Sequence, residues 1–132
     1  MAWEILLHED VDAWFLGLCT EDPGSADLVA AAIDKLADDG PTLGRPLADT
    51  VKGSRHHNMK ELRPGSVGSS ESLILFAFDP TRAAILLIAG DKAGNWQRWY
   101  RDNIPVADNR FDEHPEELRQ AQSTHNQTGG DR

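Results

Sequence analysis

Glu61 and Arg63 stand two residues apart, preceded by Arg55, His56, His57 and Lys60. Further along, Asp91 and Lys92 end an apolar run and lead into Trp96, Trp99 and Tyr100. These residue types suit a phosphodiester. Guanidinium and ammonium groups hold phosphate oxygens, a carboxylate or imidazole takes a proton, and an aromatic ring stacks on a base. On an extended segment side chains alternate between faces. His57, Met59, Glu61 and Arg63 then share one face, and His56, Asn58, Lys60 and Leu62 the other. With Leu62 in the core, the face of Glu61 and Arg63 is expected to be open. Two readings follow. One is a surface ion pair worth under about 1 kcal/mol. The other is an RNA site in which Arg63 holds phosphate and Glu61 takes or relays a proton.

The remaining residues carry similar pairs of readings. His56 and His57 suggest a metal, but adjacent strand residues point apart and no third ligand stands at a useful spacing, so no metal is expected. A single histidine acting as acid or base is the stronger use. Lys92 is either a solvated loop lysine or a cation beside the sheet. Trp96 and Trp99 are either core packing or, with Tyr100, a surface for a base. Asp91 suits a cap for the turn that follows. No Walker-type glycine loop, G-x-S-x-G elbow or H-E-x-x-H motif is present, and no cofactor is expected.

The elements that must position these residues are legible in outline. WEILLH, residues 3–8, reads as a short strand. Val11, Trp14, Phe15 and Leu18 lie on one helical face, and Leu28, Ala31, Ala32 and Leu36 on another, with Ser25 as the expected N-cap. The two helices form a hairpin that Gly40-Pro41 ends. Residues 42–51 read as loop and 52–63 as extended and half exposed. SLILFAF and AAILLIA read as strands joined at Asp79-Pro80-Thr81-Arg82, with proline at the second position of a tight turn. Their continuous apolar character predicts central strands covered on both faces. Residues 94–101 read as a turn entering a short helix, which Pro105 interrupts, and 113–122 as a final helical turn or two. The order β-α-α-β-β-β-α, with helices on one face of a mostly antiparallel sheet, is an α+β domain.

The chain has 132 residues, which suits one domain over 1–122. Residues 123–132 are polar and are expected to be a disordered tail. Cys19 is the single cysteine, which excludes an intrachain disulfide. The N-terminus lacks the form of a signal peptide and no window has the length of a membrane span, so a soluble cytoplasmic protein is expected. Net charge is -9, but unevenly placed. Residues 1–40 hold ten acids and one base, whereas residues 41–104 hold nine bases and six acids. That distribution argues against a coat-like nucleic-acid binder and for two surfaces with different partners.

KELRPG followed by LILFAFDPTRAAILLIAGDKAGNW resembles the RelE/ParE superfamily of bacterial toxins, most of all its HigB-type, phage-associated branch. The resemblance spans residues 3–103. It implies a RelE-like α+β fold and the toxin of a type II toxin–antitoxin pair. It further implies an endoribonuclease, or mRNA interferase, that cuts mRNA on the ribosome and inhibits translation. Its partner is expected to be a cognate antitoxin of the helix-turn-helix kind. In such enzymes the RNA's own 2′-hydroxyl is the nucleophile. By this resemblance Glu61, Arg63 and Lys92 are the catalytic candidates and Trp96 and Tyr100 lie where an aromatic belongs; with Arg55, His57 and Lys60 of the basic segment these aromatics are the RNA-binding candidates. Leu73 stands where the family commonly has an arginine. The alternatives are a ParE-like inhibitor of DNA gyrase, or a catalytically silent member that keeps only antitoxin binding.

Overall fold

The computed structural model describes residues 2–65 and 67–129, with side chains through His114. The fold is α+β. Strand β1 (Glu4–Leu7) is followed by helices α1 (Glu9–Glu21) and α2 (Pro23–Asp39) and a 3-10 turn (Gly40–Thr42). Strands β2 (Ala48–Thr50), β3 (Lys60–Leu62), β4 (Ser72–Phe78) and β5 (Ala83–Asp91) come next, and helix α3 (Trp96–Gly129) closes the order. The sheet runs β1-β5-β4-β3-β2. Only the β1–β5 pair is parallel; the others are antiparallel.

The helical hairpin forms where the apolar spacing predicts it, with different caps. The His8 ring accepts from the Asp10 amide at 3.1 Å, and Glu9, Asp10 and Asp12 place negative charge in the first turn of α1, where the helix dipole favours it. Asp22, not Ser25, caps α2: its Oδ1 accepts from the Ser25 amide at 3.2 Å, and Pro23 opens the helix. Ser25 lies inside the first turn, buried, and its hydroxyl accepts from the Val67 amide at 2.9 Å. The buried stripe of α2 is Val29, Ala32 and Leu36; Leu28, expected in that stripe, is 38% exposed. Gly40 ends the helix at φ 56°, and a Cβ there would lie 2.3 Å from the Trp3 indole nitrogen, so both conformation and space demand glycine.

β4 and β5 are central and covered on both faces, as their apolar runs predict. One face packs Leu62, Ile74, Phe76, Ala84 and Leu86 against Val11, Val29, Ala32 and Leu36 of the hairpin. The other packs Met59, Leu75, Ala77, Ala83, Ile85 and Leu87 against Ile104, Ala107 and Phe111 of α3. Helices therefore cover both faces, not one. The β4–β5 turn is closed by Arg82 at φ 68°, the left-handed last residue of the connection 79–82. Asp79 organises it, accepting from the Thr81 amide, the Thr81 hydroxyl and the Ala83 amide.

Three stretches depart from the sequence reading. Residues 42–51 contain β2, whose edge strand pairs only with β3. In 52–63 only Lys60–Leu62 is strand. The preceding loop is held by long-range contacts instead. Ser54 and Arg55 bond to Asp108 of α3, and His56 bonds to Asp112 at 2.7 Å. Helix α3 also passes through Pro105 without interruption. An internal proline costs about 3 kcal/mol, and burial of Ile104, Ala107 and Phe111 around it offsets that cost. The expected tail, 123–132, falls on residues whose side chains are not described, and 130–132 lie outside the described residues altogether.

Candidate functional site

Strand pairing builds the site. Asp49 of β2 lies directly opposite Glu61 of β3. The pairing is extended by the Arg63 amide donating to the Leu47 carbonyl at 2.7 Å. Like charges opposed across a ladder repel, so this pair needs a cation between its members. Arg63 supplies it. Its guanidinium donates to Glu61 Oε2 through Nε and lies 3.4 Å from Asp49 Oδ2 through Nη2. Arg45 donates from Nε to the same Asp49 oxygen at 2.9 Å.

The face expected to be open is not. Met59 is fully buried and the Glu61 side chain is only 4% exposed, because α3 lies across it. Tyr100 of α3 donates its hydroxyl to Glu61 Oε1 at 2.8 Å. Both carboxylate oxygens are thus occupied, one by a phenol and one by a guanidinium. A cleft of about 400 Å3 opens beside them, lined by Arg45, Asp49, Lys52, Glu61, Arg63, Trp96 and Tyr100 among others. These carry three cations against two carboxylates.

The charge states follow from the contacts. Burial is the largest influence on Tyr100 and the Glu61 hydrogen bond the next; both push its hydroxyl well above the ordinary tyrosine range, so it stays a donor. Removal from water works against the Arg63 charge, but its hydrogen bond to Glu61 and the Glu61 charge outweigh this and raise it above its ordinary value. The Thr50 amide does most to lower the Asp49 carboxyl; partial removal from water opposes it, and Arg45 and Arg63 add to the lowering. The cleft therefore holds fixed, opposed charges that an incoming anion can re-pair.

The sequence-predicted residues divide into three groups. Glu61, Arg63, Tyr100 and Trp96 meet in the cleft, Trp96 being 56% exposed with its ring centroid 6.2 Å from that of Tyr100. Lys92 is not among the residues lining the cleft, but its ammonium stands over the ring of Tyr100, which is, 5.7 Å from the centroid. Asp91 caps the turn before α3, accepting from the Ala93 amide at 2.9 Å. Arg55, His57 and Lys60 do not line the cleft. Lys60, one residue from Glu61, projects to the hairpin face, 6.0 Å from the Phe78 ring centroid. Arg55 pairs with Asp112 and Asn109 on α3, and His57 lies exposed in the 52–59 loop. Leu73 is fully buried in β4. Arg45, Asp49 and Lys52 were not singled out from the sequence. Their approach depends on a three-residue strand whose only signal is its partner.

A second cleft, about 470 Å3, lies between β1, β5 and α3 and includes His8, Arg110 and His114. Arg110 is committed there to the Leu87 carbonyl and Asp10, and His114 to Asp79. None of the sequence-predicted site residues enters it.

The model of the phage-derived Gp49-like family (DUF891) matches residues 18–112. The chain belongs to that family. It is 58% identical over 106 residues to a Mycobacterium tuberculosis H37Rv protein named "Putative toxin HigB2", covering 80% of this chain and 51% of that one. It is 54% identical over 106 residues to "Putative toxin HigB3" of the same organism, covering 80% of this chain and 88% of the relative. The chain thus spans about half the length of the first relative and most of the second. The HigB-like, phage-associated branch that the sequence resembles is the one these comparisons return. No solved structure matches significantly. Among the described residues, no helix is long and apolar enough to cross a membrane.

Proposed function

We propose that this member of the Gp49-like family is the toxin of a type II toxin–antitoxin pair and acts in the cytoplasm as a ribosome-dependent mRNA interferase. The observation that carries the reading is the joining of Glu61, Arg63 and Tyr100 at one cleft beside an exposed Trp96. Arg63 and Lys92 are assigned to the scissile phosphate, and Trp96 offers a ring on which a base stacks. The RNA 2′-hydroxyl gives its proton to Glu61 and its oxygen attacks phosphorus. The bond from phosphorus to the 5′-oxygen breaks, and that oxygen takes a proton from solvent. The products are a 2′,3′-cyclic phosphate and a 5′-hydroxyl. Cations facing the phosphorane act where charge develops. A phosphate that draws Arg63 toward itself frees Glu61 Oε2, the oxygen Arg63 holds in this structure, to face the 2′-hydroxyl. Tyr100 keeps the carboxylate aimed during that exchange.

A cognate antitoxin, of the helix-turn-helix kind, holds the toxin inactive in this reading. One observation favours a second reading. Burial of Leu73 leaves no phosphate contact at the place of the family's usual arginine, which suits a non-nuclease inhibitor of DNA gyrase. The test is induced expression with primer extension on mRNA and a plasmid-supercoiling assay alongside. mRNA cuts that vanish in Arg63→Ala, with a loss of roughly 100- to 1,000-fold in rate, support the nuclease. Growth arrest that persists in Arg63→Ala and Lys92→Ala, with altered supercoiling and intact mRNA, supports the gyrase inhibitor.

A further inference from the structure

Two guanidinium groups from different elements converge on one oxygen. Asp49 Oδ2 receives Arg45 Nε at 2.9 Å and faces Arg63 Nη2 at 3.4 Å, at the mouth of the cleft. Such convergence on a single anionic oxygen is how a phosphate oxygen is held between two arginines. The Arg45 side chain is 79% exposed, so it can turn toward a ligand without leaving a core. Asp49 is anchored at its other oxygen, which accepts from the Thr50 amide at 2.9 Å.

We propose that the Asp49 carboxylate is a built-in stand-in for a phosphate, and that Arg45 is a further phosphate-contacting residue. An entering phosphodiester takes over Arg45 and Arg63, and Asp49 sets how tightly it is held by competing for them. Arg45 thereby supplies, from the loop before β2, a cation that buried Leu73 of β4 does not. The inference rests on the nuclease reading only for the phosphate's owner, an RNA strand.

The first measurement uses inorganic phosphate as probe, titrated calorimetrically into the whole protein in chloride buffer. Asp49→Asn should tighten binding and Arg45→Ala weaken it, each by about two- to fivefold, the range for an exposed charge pair. Glu4→Gln, which removes one negative charge from β1 away from the cleft, should change nothing, separating a local effect from net charge. The second uses a 2′-O-methylated RNA oligonucleotide, which binds without being cut. In Arg45→Ala the slope of log affinity against log salt should become shallower by about 0.7, the value for one lost single-strand phosphate contact. A residue acting only through packing leaves that slope unchanged. Equal phosphate binding in all variants, or no binding in wild type and Asp49→Asn alike, overturns the proposal. If the phosphate results hold but no mRNA is cut on ribosomes, the site stands and the nuclease reading falls.

Discussion

At the scale of single residues, Glu61 connects fold to chemistry. A carboxylate so deeply covered persists only with partners for both oxygens, and Tyr100 and Arg63 are those partners. Tyr100→Phe leaves one oxygen without its donor. We expect a loss of about 1–3 kcal/mol in urea unfolding, shrinking when Glu61→Gln is present, because the two changes share one interaction. Asp79 gives a prediction in pH. Removal from water pushes its carboxyl up, but hydrogen bonds from Thr81, His114 and Ala83 outweigh this and depress the folded value below the ordinary 3.8. Its stabilisation is therefore complete above pH 3.8 and is lost as pH falls through the depressed value. Unfolding followed across that window should show stability falling with pH, and Asp79→Asn should flatten the fall. An unchanged profile in that variant would remove Asp79 from the account.

At the scale of elements, legibility tracks how local the determinants are. β4 and β5 are plain in the sequence because each is covered on both faces, so all but their end positions carry no polar side chain. The Glu61–Arg63 pair is legible because residues two apart on a strand share a face. β2 is not, since three residues paired on one edge carry no pattern of their own. With β2 unseen, Asp49 and Arg45 stay unseen too. The 52–59 loop reads as strand because its true supports, Asp108 and Asp112, lie far along the chain. Pro105 misleads for a similar reason, as local propensity yields to burial beside it. Element packing also decides what Leu73→Arg would do. Position 73 lies inside β4, fully buried, so the family's usual arginine cannot be restored there. We expect a loss of several kcal/mol from a buried unpaired charge, seen as a lowered denaturation midpoint with no gain in RNA cleavage.

Across the whole molecule, charge separates two sides. Residues 1–40 carry ten acids and one base, and the hairpin they form packs on the sheet face opposite α3. The cleft, with its three cations, lies where β2, β3 and α3 meet. A phosphate backbone is repelled by the first region and drawn to the second. We therefore expect residues 9–39 to meet a protein partner of basic or mixed charge, and RNA to crosslink at the cleft. Photocrosslinking with labelled RNA distinguishes the two; adducts mainly on the hairpin would sink this division.

The parallel pairing of β1 with β5 has a consequence in time. Glu4 lies beside Ala83, and Leu7 beside Leu86. During synthesis, the first strand waits for a partner made some 79 residues later, about 4 to 16 seconds at ordinary elongation rates of roughly 5–20 residues per second. Tyr100, which completes the hold on Glu61, is made later still. A nascent chain therefore has Arg45 and Arg63 before it has the helix that covers Glu61. If the nuclease reading holds, we expect cleavage to begin only once α3 has left the ribosome and closed over β3.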